Sequence, residues 1–105
     1  MSERLGQLVK LYEADGNDPF LSYGIALEYA KDSQFDDAMV WLDKTIEVDP
    51  DYCYAYYQKA RILGDLGDTA SARRVLDRGM QAAQRAGDEH ARSEMTDLLG
   101  LLESP

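Results

Sequence analysis

Residues 22–46 read SYGIALEYAKDSQFDDAMVWLDKTI, and residues 56–80 read YYQKARILGDLGDTASARRVLDRGM. The second stretch lies 34 residues after the first, and the two align without a gap. Tyr23 falls on Tyr57, Ala26 on Ala60, Tyr29 on Leu63, Ser33 on Gly67, Ala38 on Ala72, Leu42 on Leu76, Asp43 on Asp77 and Ile46 on Met80. Small residues fall on small and large on large. A fixed period of this length is the mark of a repeated packing unit, and it decides the fold before any single element is assigned.

Each copy reads as two helices. Ser22, Ile25, Ala26 and Tyr29 recur at helical spacing, and Ala38, Leu42, Thr45 and Ile46 do so after a break at DSQF. The second copy breaks at GDLGDT, where Gly67 suits a left-handed helix end and Asp68 or Thr69 suits an N-cap. Asp49-Pro50 closes the first copy, because proline cannot continue a helix. Flanking stripes predict two more helices: Leu5, Leu8, Val9 and Tyr12 near the start, then Ala91, Met95, Leu98, Leu99 and Leu102 near the end. Gly87 separates the last helix from the long one before it. No segment carries a strand signal.

These residues resemble the tetratricopeptide repeat, a 34-residue helix-turn-helix unit with large, small and tyrosine positions, then Ala-x3-Phe, then Pro. Ser22, Ile25, Ala26, Tyr29, Ala38, Leu42 and Pro50 carry the resemblance in the first copy. Tyr56, Lys59, Ala60, Leu63, Ala72, Leu76 and Gln84 carry it in the second. The resemblance implies an all-α fold of antiparallel helix-turn-helix pairs, stacked as a short right-handed solenoid with a C-terminal capping helix. One domain is expected over 1–105, with an N-terminal helix in 1–17, repeats at 19–52 and 53–86, and the cap at 88–103. The pattern is also that of small bacterial proteins with two repeats and flanking helices. Three positions depart from the family. Ser22 is small where a large ring is usual, Lys59 replaces a buried leucine, and Gln84 replaces the closing proline.

The bulk composition narrows function. The 105 residues are 45% hydrophobic and 30% charged, which is a globular balance. The net charge of -9 argues against nucleic acid, whose binders show a basic footprint. No apolar run approaches membrane-spanning length, and no signal peptide is visible, so a cytoplasmic, acidic protein is expected. The single Cys53 cannot form an internal disulfide and reads as a packing residue. The single His90 leaves no Cys-His pair or zinc set in view. FDDAM and EVDPD lack the glycine of a calcium loop, and GDLGD lacks the lysine and strand of a phosphate loop. Trp41 reads as partly buried packing. No enzyme, metal or cofactor is expected.

What remains is the aromatic content. Tyr52, Tyr54, Tyr56 and Tyr57 crowd the start of one helix. Tyr56, Ala60 and Leu63 share the face that matches the first copy's core. Tyr54, Tyr57 and Arg61 share an adjacent face, and the first copy carries Phe20, Tyr23, Leu27 and Lys31 there. The family resemblance makes that face the wall of a concave groove. It implies a protein or peptide partner with apolar side chains, bound by Phe20, Tyr23, Leu27, Tyr54 and Tyr57, with Lys31 and Arg61 at the polar edge. The family's clamp for a terminal carboxylate is not present, since its places hold Tyr23, Leu27 and Gln58. An alternative stays open: a terminal helix or a second copy covers these rings, and the module self-associates. Charge is uneven as well. Residues 18–51 carry -7 and residues 52–87 carry +3, which fits either surface ion pairs between helices or head-to-tail contact between copies.

Overall fold

The computed structural model describes residues 2–104, and every regular element in them is helical. The elements are α1 (Glu3–Ala14), α2 (Pro19–Lys31), α3 (Phe35–Val48), α4 (Cys53–Asp65), α5 (Thr69–Ala86) and α6 (Glu89–Glu103). The chain divides after Asp49 into two compact units of three helices each. In the first, α2 packs chiefly on α3, and α1 lies on α2. In the second, α4 packs chiefly on α5, while α6 lies on α5 and touches α4.

Local chemistry sets the helix ends. Ser2, Asp18, Asp68 and Asp88 each accept a backbone N–H of the first turn they precede, and Pro19 takes a first-turn place where no N–H is needed. The turn inside each repeat is built twice in the same way. Gln34 N–H donates to Tyr29 C=O at 3.0 Å, and Asp68 N–H donates to Leu63 C=O at 2.9 Å. Both turns need a left-handed residue, which is Ser33 at φ 58° in the first and Gly67 at φ 88° in the second. Glycine takes that conformation freely, whereas serine holds it against its own Cβ. Where the closing proline is replaced by Gln84, α5 runs on to Ala86 and ends in Gly87 at φ 68°. Tyr52 sits before the first turn of α4 rather than inside the helix.

The first unit buries Leu5, Ile25, Ala26, Ala38 and Leu42, and the second buries Tyr56, Ala60, Ala72, Leu76, Ala83, Ala91 and Met95. A buried leucine of this kind stabilises by about 2 kcal/mol against its exposed state. Small residues decide how near the helices come. A Cβ placed on Gly79 of α5 would lie 2.7 Å from Tyr56 Cβ and 2.6 Å from Met95 Sδ. Gly79 is therefore where α4 and α6 both press on α5.

The departure at Ser22 finds its explanation at the same contact. Positions 22 and 45 in the first unit match 56 and 79 in the second. In the second unit a large Tyr56 lies against Gly79, its ring 3% exposed and its hydroxyl donating to Pro50 C=O at 2.7 Å. In the first unit both partners are of middling size: Ser22 Oγ and Thr45 Oγ1 are 2.7 Å apart and fully buried. Pro19 C=O and Trp41 C=O accept from them at 3.1 and 2.9 Å, so two hydroxyl protons serve three contacts. The contact is buried in both units, as ring against glycine in one and as a hydrogen-bonded hydroxyl pair in the other.

Two stability predictions arise here. Gly79→Ala should destabilise by about 1–3 kcal/mol, because Tyr56 Cβ is too near its backbone to yield. Gly64→Ala should change stability by less than about 1 kcal/mol, because the clash there is with the mobile end of Leu102. Urea unfolding of the two variants checks the contrast. Ser22→Tyr and Thr45→Gly should each destabilise alone, while the double variant should be about 1–3 kcal/mol better than their sum. Strict additivity in that cycle would refute the coupling of the two positions.

Candidate functional site

The first unit places its candidate residues along α2. Asp18 Oδ1 accepts Phe20 N–H at 2.9 Å and Pro19 fixes the entry of the helix, so Phe20 is held in the first turn. Its ring is 70% exposed. Tyr23 and Leu27 follow at spacings of three and four and are half-buried, and Lys31 comes one turn later.

Lys31 is engaged. Its Nζ lies 3.5 Å from Glu28 Oε2, while Arg4 Nε of α1 lies 2.9 Å from Glu28 Oε1 and Ser2 Oγ donates at 3.4 Å. The Glu28 side chain is only 8% exposed. A buried carboxylate needs such partners, since removing them leaves an uncompensated charge. This cluster ties α1 to α2 beside the aromatic face, and sequence reading missed it. The signal was present: Glu28 falls in the stripe of Leu21 and Ile25, where an apolar residue belongs.

The second unit places Tyr54, Tyr57 and Arg61 along α4. The rings of Tyr54 and Tyr57 meet edge to face, with centroids 6.2 Å apart at 70°. Tyr54 OH donates to Glu94 Oε1 of α6 at 3.1 Å, and His90 Nε2 lies against the same oxygen. The C-terminal helix thus holds one ring of this face by its hydroxyl. Tyr57 is half-buried and Arg61 is exposed. Phe20, the residue matching Tyr54 in the first repeat, has no hydroxyl to hold.

The other singled-out residues have structural surroundings. Trp41 meets Tyr12 edge to face at 5.0 Å, with Lys44 Nζ 5.4 Å from its ring centre. Cys53 is buried and its thiol donates to Asp51 C=O at 3.3 Å. His90 is an exposed residue of the first turn of α6. Among the described residues no group of three or more His, Cys, Asp or Glu side chains is placed to hold a metal, and no helix is long and apolar enough to cross a membrane.

Burial of the Tyr54 ring, its hydrogen bond to Glu94 and the negative charges of Glu94 and Asp88 push its phenol up to about 12. A group raised in the folded state stabilises fully below its unfolded value, here about 10, and loses that contribution as pH rises through its folded value. Ultraviolet absorbance titration should show a phenol ionising near pH 12 in the wild type that is lost in Tyr54→Phe. Stability should fall more steeply between about pH 10 and 12 in the wild type than in that variant.

Comparison with known proteins places this geometry. Residues 41–74 match the model of the tetratricopeptide repeat family. A TPR repeat-containing protein of Pseudomonas aeruginosa is 27% identical over 96 residues, covering 91% of each chain. A tetratricopeptide repeat domain protein from Salinibacter ruber superposes with a TM-score of 0.78 at 29% identity, over 85% of this chain and 90% of that one. The TPR2B domain of yeast Sti1, solved in complex with pHsp70, superposes with a TM-score of 0.87 at 22% identity, over 93% of this chain and 78% of that one. With its doubled 34-residue helical unit, the chain carries a tetratricopeptide repeat at residues 41–74 and is similar over most of its length to small proteins built from that repeat.

Proposed function

We propose that this protein is an adaptor that binds a protein or peptide through the aromatic face that each repeat presents, on α2 in the first and on α4 in the second. The tetratricopeptide fold in general mediates protein–protein interaction. The observation that carries the finer reading is Phe20: a large ring, 70% exposed, on a backbone fixed by the Asp18 cap and Pro19. An aromatic held this way gives contact area at small entropic cost, which is why such rings recur as binding hot spots. Tyr23 and Leu27 extend the face by two turns, and Tyr57 stands at the matching place in the second repeat.

The charge around these rings favours an apolar ligand. Lys31 already neutralises part of Glu28, so its ammonium is not a dedicated acid receptor. The reading assigns no catalytic step and no cofactor to the chain.

Affinity capture from the native lysate tests it, with wild type set against Phe20→Ser/Tyr57→Ser and circular dichroism confirming that both are folded. Loss of two hot-spot rings should weaken capture of a specific partner by about 30-fold or more. Equal capture by a folded double variant would overturn the proposal.

A further inference from the structure

The outer faces of α3 and α5 occupy matching places in the two repeats and carry opposite charge. In α3, Asp36, Asp37, Asp43 and Glu47 stand against Lys44, a net of -3. In α5, Arg73, Arg74, Arg78 and Arg85 stand against Asp77, a net of +3. All of these residues are exposed. The α3 face is also partly apolar. Asp36, Val40, Asp43 and Glu47 form one stripe at spacings of four, three and four, and Val40 and Val48 are 52% and 42% exposed.

The two helices differ in how their charges are used. Asp36 and Asp37 lie in the first turn of α3, where they favour the helix dipole and still face water. In α5, Arg73 is 3.8 Å from Glu103 and Arg85 is 2.7 Å from Asp51, which lowers the effective charge at each end. Arg74 and Arg78 lie between these ends. Arg74 donates to the neutral Ser71 hydroxyl at 2.9 Å, and the Arg78 guanidinium lies 5.6 Å from the centre of the Tyr56 ring. These two arginines, one turn apart, present two guanidinium groups on long apolar stems, and such stems can cover exposed valines while the heads meet carboxylates.

We propose that the acidic, valine-bearing face of α3 docks on the basic face of α5 in a second copy of this chain. The contact is heterologous: each copy offers one face of each sign, so association can continue from copy to copy. It uses surfaces other than the aromatic faces and stands or falls apart from partner binding. Rim-type charges give specificity and encounter more than affinity, so the association should be weak and sensitive to salt.

Sedimentation velocity over a wide concentration range tests this on the whole chain. Wild type should associate at about 0.02 M salt and bind itself about tenfold more weakly at about 0.5 M. Asp36→Lys/Glu47→Lys should be monomeric alone, having two basic faces. Arg74→Glu/Arg78→Glu should be monomeric alone, having two acidic faces. An equimolar mixture of the two should associate again. The α3 variant added to wild type should also limit its growth, a readout that survives even if the α5 variant folds poorly. A wild type that stays monomeric at low salt, or association that neither variant disturbs, would overturn the proposal.

Discussion

Three helices of the second unit meet at one residue without a side chain. Gly79 of α5 admits Tyr56 from α4 and Met95 from α6, each too close for a Cβ to fit between. Glycine inside a helix costs about 1 kcal/mol against alanine. The contact offsets that cost, because Tyr56 and Met95 are thereby almost completely buried. Much of the remaining architecture serves this approach. Ala60, Ala72, Ala82, Ala83 and Ala91 keep the neighbouring surfaces low, and the Tyr56 hydroxyl finds Pro50 C=O so that no buried donor is wasted.

The first unit meets the same constraint with other residues. Ser22 and Thr45 stand where Tyr56 and Gly79 stand, and a buried hydroxyl pair replaces ring against glycine. Ser22, small where the tetratricopeptide repeat usually has a large ring, is buried there with its hydroxyl hydrogen-bonded. The outward positions are free of that constraint, and there the two repeats diverge most: acids and valines on α3, arginines on α5, and an unheld phenyl at Phe20 against a held phenol at Tyr54.

The sequence made the period, the six helices, the glycine turn at Gly67 and the inward face of Tyr56 legible, because each follows from spacing along one chain segment. It did not make legible what lies across a contact. Glu28 stands in the apolar stripe of Leu21 and Ile25, but only the packing of α1 on α2 shows that Arg4 and Ser2 meet it. Tyr54 and Glu94 are 40 residues apart, and periodicity reports the face a residue takes, never its partner. Ser22 reads in the sequence only as a departure from the repeat pattern, because its hydrogen-bond partner Thr45 lies 23 positions later. The aromatic residues themselves were visible, but the division between the ring that is structure and the ring that is surface required burial: Tyr56 is 3% exposed and Phe20 is 70% exposed.

That division is the central claim, and equilibrium urea unfolding of Phe20→Ala beside Tyr56→Ala tests it most directly. The account predicts that Phe20→Ala lowers stability by less than about 0.5 kcal/mol, as a surface change does, while Tyr56→Ala lowers it by about 3 kcal/mol or more, as loss of a buried ring does. A cost of about 2 kcal/mol or more at Phe20 would make it a packing residue, and the aromatic face of α2 would then be part of the core rather than a surface kept for a partner.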